Sequence, residues 1–283
     1  MAFIGDEVDP VSASRNCDTS DDEDTAREDA RPAPKVTWTD GAADGRRDCD
    51  VLLVGVSGAG AMFLRAAYPG AKAVGSMSAA SDAAKRVPKK ASTTGQTDNS
   101  CELLSVGGSG RVLAFACQCD VPAERATAVA TALLAAVRPA RVAVLDVVKL
   151  AYAVLSGGDA DGGAGGSRGA LRLLATSAVD AAAVASVRPL ESPNLVTGLT
   201  AALLTECQID KVPAAAFLSV LGHHLEVESL SAFAGAAATL RGWSADAAID
   251  DGGAEGDDLF SRLVAAARDA ERSEARTVGG MFM

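Results

Sequence analysis

Strands and helices alternate through most of this 283-residue chain, which predicts an α/β fold: a three-layer sandwich around a mixed sheet, with a disordered acidic N-terminal arm and a flexible C-terminal tail. Three observations carry that expectation. The stretch 51–56 reads as a buried strand, 141–148 as a further strand, and 214–218 is an uninterrupted apolar run of the length and composition of a strand covered on both faces. Between them lie helical patterns, clearest where Val196, Leu199, Leu203 and Cys207 repeat along one face. Residues 102–106 and 111–119 flank Gly107, Gly108, Ser109 and Gly110, which suits an antiparallel hairpin with a four-residue connection.

In chain order, residues 1–49 mix Asp, Glu, Ser, Ala and Pro and cannot offset the entropy of ordering by buried surface, so they are expected to be a disordered acidic arm. Regular structure is expected from Val51, followed by a short helix over 58–67 and a strand over 71–77. The polar and partly basic stretch 78–100 reads as a mobile loop. After the hairpin, a helix starts near Pro122 and ends before Pro139, and a strand follows over 141–148. Residues 156–169 are a glycine-rich insertion. Ser192 as cap with Pro193 at the first helical position would open the next helix, or, because Gly198 is costly in a helix, Thr197 would cap it instead. Pro213 then heads a buried strand, 228–240 reads as helix, 246–258 as an acidic glycine linker and 259–272 as a last helix. The predicted division is an arm at 1–49, an α/β domain at 50–245, and a linker, helix and tail at 246–283.

The charge of −11 is unevenly placed, because residues 1–50 hold 14 acids against 6 bases and residues 246–258 hold 6 acids and no base. The acidic ends argue against nucleic-acid or anionic-membrane binding by counterion release. No stretch of about 18 charge-free apolar residues offers a membrane span. Six scattered cysteines without a basic-then-apolar leader suggest a reduced intracellular compartment. Hydrophobic residues reach 48% while aromatics are 4%, so alanine, valine and leucine must do most of the packing.

Candidate chemistry is sparse. Gly55, Ser57, Gly58 and Gly60 sit between a strand and a helix, where a nucleophile elbow or a dinucleotide turn would lie. The elbow needs glycine where Ala59 stands and the dinucleotide pattern needs it at Ser57, so close packing of small residues is the plainer reading. Ser57, Asp146 and His223 or His224 follow the chain order of an α/β-hydrolase triad, which keeps a hydrolase or nucleotide-binding enzyme as the alternative. Cys117 and Cys119 share one strand face and could hold a thiophilic metal if His223 approached, but two ligands are short of a zinc set and small core residues explain them. Neither a catalytic residue nor a cofactor is assigned.

Residues 188–221 link Pro193, Asn194 and Val196 through Cys207, Gln208 and Ile209 to Val212 and Pro213, and this succession resembles the proteasome assembly chaperone 1 family. A second likeness lies at 112–124, where the strand ends in the triplet Cys117, Gln118, Cys119 before a helix. The strand and small-residue turn at 50–64 resemble the family's opening, and the likeness extends over about 50–240. It departs in the glycine insertion and in the alanine-rich strand after Pro213. The resemblance implies a non-enzymatic chaperone of cytoplasm and nucleus, without a cofactor. Such a chaperone pairs with proteasome assembly chaperone 2 and holds α-subunits while the 20S α-ring is built. The tail Met281, Phe282 and Met283 is similar to the hydrophobic-tyrosine-any ends that insert between α-subunits, with Phe282 lacking the tyrosine hydroxyl.

Overall fold

The computed structural model describes residues 33–40, 45–56, 58–77, 101–119, 121–149, 171–221, 227–249 and 259–269. The strands are β1 (Val36–Trp38), β2 (Arg47–Gly55), β3 (Lys72–Met77), β4 (Cys101–Val106), β5 (Val112–Ala116), β6 (Val137–Lys149), β7 (Leu171–Ala175) and β8 (Ala214–Leu221). They form one mixed sheet in the order β1-β3-β4-β5-β2-β6-β8-β7. The centre, β5-β2-β6-β8, is parallel, while β1, β3, β4 and β7 join antiparallel at the flanks.

Strand periodicity divides the central apolar runs between two cores. Val51, Leu53, Ala143, Leu145, Ala215 and Phe217 point to one face. Leu52, Val54, Val142, Val144, Ala214, Ala216 and Leu218 point to the other. The first face is covered by α1 (Ala59–Ala67), α4 (Val227–Ser231), α5 (Ala237–Trp243) and a helix α6 over 259–269. The second is covered by α2 (Ala123–Ala136) and α3 (Gly198–Ile209). Helices on both faces of one sheet make the three-layer sandwich that the alternation predicts.

Glycines at the first turn set how closely α1 lies on the sheet. A Cβ on Gly60 would stand 2.1 Å from the Leu145 carbonyl oxygen, and one on Gly55 would stand 2.5 Å from the Gly60 backbone. Close approach of helix and strand accounts for both residues, as the sequence suggests.

Several boundaries differ from expectation. The proposed arm at 1–49 contains β1 and the start of β2, and the reason is long-range: Val36 and Trp38 are buried, the Arg47 guanidinium lies 4.0 Å from the Trp38 ring centroid, and Arg47 pairs with Asp40. Composition cannot show such anchoring. Helix α3 begins at Gly198 with Thr197 at its cap position, so Pro193 is not its first residue. Residues 191–194 form a separate turn instead, in which the Glu191 carbonyl accepts from the Asn194 amide at 3.0 Å and from Asn194 Nδ2 at 2.7 Å. Strand β6 starts at Val137 and includes Pro139, which is tolerated because β8 pairs with β6 only from Val142 onward.

The sequence reading also lacks β7, whose Arg172 is a buried charge in a short strand and is paired with Glu191 at 2.9 Å. The expected helix 228–240 is broken by a 3₁₀ turn, Ala232–Ala236, between α4 and α5. Residues 246–249 and 259–269 join the same body. Ala247 and Ile249 are buried, Ser109 donates to Asp246 at the hairpin turn, and α6 buries Leu259, Leu263 and Ala267 in the first core. Acidic and glycine content hid those anchoring side chains. The loop 78–100, the insertion 156–169 and most of the linker lie outside the described residues.

Candidate functional site

Parallel strands place their C-terminal ends together, and that end of the sheet carries a cleft of about 640 Å³. It is lined by Val56 after β2, Cys119 after β5, Asp146 on β6, and Pro193, Leu195 and Gly198 at the approach to α3. The late start of α3 leaves residues 193–197 as a non-helical rim. Leu195 on that rim is 83% exposed, an apolar side chain presented outward rather than packed.

Asp146 anchors the cleft's floor. Its Oδ2 accepts from the buried Thr200 Oγ1 at 2.5 Å and its Oδ1 accepts from the Val147 amide at 2.7 Å. These bonds tie the first turn of α3 to β6. A carboxylate held in this way is already satisfied by structural partners. Of the expected triad, Ser57, His223 and His224 lie outside the described residues.

Beside the cleft lies a sulfur cluster. The register of the hairpin pairs Glu102 with Ala116, so Cys101 and Cys117 face each other one residue further out. Cys101 Sγ donates to Cys117 Sγ at 3.1 Å and lies 3.3 Å from Cys119 Sγ, while Cys117 and Cys119 are 3.9 Å apart. All three are buried, and Cys119, 8% exposed, is the member on the cleft. Hydrogen bonds from Cys101 and then Cys117 hold the Cys119 thiol well below its usual range. The Cys101 thiol is raised, because its proton is held by Cys117 and Cys119 and because it is buried. Burial pushes the separate Cys49 and Cys207 thiols up to about 12, with neighbouring carboxylates adding to it.

The sequence puts Cys117 and Cys119 on one face of a strand; β5 ends at Ala116, so both lie just past it, with their sulfurs turned into the same core, and the structure adds Cys101, which sequence reasoning missed. The pairing depends on a five-residue connection in the hairpin rather than the expected four. The expected third ligand, His223, lies outside the described residues, as do Met281, Phe282 and Met283.

A three-layer α/β sandwich with a strand-end cleft defines the class of the molecule. Comparison with known proteins then supplies the family. A family model described as proteasome assembly chaperone 4 matches residues 5–248. The chain belongs to the proteasome assembly chaperone 4 family. A relative in Dictyostelium discoideum named Proteasome assembly chaperone 1 is 42% identical over 48 residues, 17% of this chain and 18% of the relative. That match thus spans less than a fifth of the curated relative's length.

Among solved structures, a Thermoplasma acidophilum protein of unknown function has a TM-score of 0.56 at 14% identity, over 85% of this chain and 93% of that one. Pyrococcus furiosus PbaB, an archaeal proteasome activator, has a TM-score of 0.53 at 11% identity, over 87% of this chain and 99% of its own. Pyrococcus furiosus PbaA, an archaeal homologue of proteasome-assembly chaperone, has a TM-score of 0.51 at 12% identity, over 88% and 100%. At such identities these likenesses speak to the fold alone.

Proposed function

We propose that this chain is a proteasome assembly chaperone that pairs with proteasome assembly chaperone 2, binds α-subunits and promotes assembly of the 20S α-ring. The observation that carries the reading is the family match over residues 5–248, on a chain that folds as the sandwich the sequence predicts. The mechanism is one of covering surfaces: a chaperone occupies apolar and strand-edge surfaces on immature subunits and so suppresses incorrect association until the ring closes. Binding without turnover is consistent with an Asp146 carboxylate committed to Thr200 and Val147.

Two features of the chain suit such binding. Leu195 offers an exposed apolar side chain at the cleft rim, and the Met281-Phe282-Met283 end offers a hydrophobic hook. Phe282 keeps the ring of the hydrophobic-tyrosine-any pattern and lacks one hydroxyl, so it forgoes a hydrogen bond worth about 0.5–1.5 kcal/mol. The work takes place in cytoplasm and nucleus.

Gentle affinity purification of the full chain followed by mass spectrometry tests the proposal. Recovery of a second assembly chaperone with early 20S α-subunits is the expected result. Isolation without either, from cells that are assembling proteasomes, overturns it. Deletion of Met281–Met283 should weaken capture of α-rings while leaving the chaperone pair intact.

A further inference from the structure

We propose that Cys101, Cys117 and Cys119 form a tri-thiolate site for a thiophilic d¹⁰ cation, Zn²⁺ or Cu⁺, with one side of the ion open to the cleft. Cys101 on β4 and Cys117 and Cys119 just past the end of β5 converge so that all three sulfurs lie within 4.8 Å of one another. A Zn–S bond of about 2.3 Å places tetrahedral sulfur ligands about 3.8 Å apart, and trigonal ligands slightly further. The edges of the triangle are 3.1, 3.3 and 3.9 Å, so loading requires Cys101 to draw back by about half an ångström from the other two.

The chemistry of the donor set selects soft ions. Thiolates favour zinc and cuprous copper over the hard, oxygen-seeking cations. On loading, each sulfur that still carries a proton exchanges its S–H bond for a metal–sulfur bond and releases that proton to solvent, a sulfur already ionised binds without release, and no oxidation state changes. Cys119 is the first of the three sulfurs that an arriving ion meets, because it is the member of the cluster that lines the cleft. The cleft supplies the entry path and leaves room for a water or an incoming donor in the fourth position of zinc. The site would fasten the end of the β4–β5 hairpin to the mouth of the cleft.

The test uses the full-length, reduced chain under anaerobic conditions, titrated with Zn²⁺ against a chromophoric zinc chelator and, separately, with Cu⁺ against a cuprous chelator. One equivalent of either ion, held by three sulfurs at about 2.3 Å in X-ray absorption for zinc, is the expected result. Cys119→Ser and Cys101→Ser should each weaken uptake by more than the about 10–100-fold that loss of an outer-sphere partner costs. Cys119→Ser sits at the rim, and circular dichroism confirms that it is folded before its affinity is read. A folded, reduced wild-type chain that competes for neither ion overturns the proposal. So does uptake that both serine variants leave unchanged, because the ion would then sit elsewhere.

Discussion

The two faces of the sheet are built from different materials. The face under α1 and the C-terminal helices is locked by large rings: Phe63, Phe217, Phe233 and Trp243 lie there, with Phe63 and Phe233 tilted at 59° and 5.4 Å between centroids. The face under α2 and α3 relies on alanine, valine and leucine and holds all five described cysteines, with Phe115 and Trp38 as its aromatics. The cleft and the exposed Leu195 open at the edge of this second face. Aromatic interlocking gives one layer its rigidity, whereas smaller side chains leave the other room for a rim, a cavity and reactive sulfur. The interlocked rings and the cleft thus lie largely on opposite sides of the sheet.

The largest expected effect is on the aromatic face. Phe233→Ala should cost about 3–5 kcal/mol in denaturant unfolding, because the ring is fully buried against Phe63. Arg172→Ala should cost about 3 kcal/mol, since it strands Glu191 without its buried partner, and combining Arg172→Met with Glu191→Leu should recover most of that loss. Gly60→Ala should cost about 1–3 kcal/mol as α1 is forced away from Leu145. If it cost nothing, the tight seating of α1 would be wrong.

On the other face, Leu195→Asp should leave stability within about 0.5 kcal/mol yet reduce co-purification of partner subunits; unchanged capture would remove the rim from the binding surface. The smallest effect is chemical. In the metal-free chain at about pH 8, a small alkylating agent should modify Cys119 before Cys49 or Cys207, because the first is depressed and the others sit near 12. Peptide mapping after short exposure reads the order.

Strands β2 and β8 were legible because burial on both faces leaves apolar runs at 51–56 and 214–218, and helix α3 because Leu199, Leu203 and Cys207 repeat at helical spacing. What stayed hidden depends on partners distant in sequence. The strand over Val36–Trp38 is three residues inside an acidic stretch, held by Arg47 stacking on Trp38. Strand β7 carries an arginine that is buried only because Glu191 meets it. The sulfur cluster turned on one residue. With a four-residue connection after Val106, Cys101 would face Ala116; the observed pairing of Val106 with Val112 makes the connection five residues and sets Cys101 opposite Cys117. Gly107 and Gly110, at φ of 71° and 69°, give that turn its shape.

The outer edge of β7 is occupied by residues 188–190: the Leu173 amide donates to the Arg188 carbonyl at 2.8 Å and the Leu190 amide donates to the Leu173 carbonyl at 2.7 Å. Among the described residues, then, the sheet has a finished end at β7 and an unmatched one only at β1. Among the described residues, a strand approaching the β7 end would have to displace residues 188–190 before it could pair.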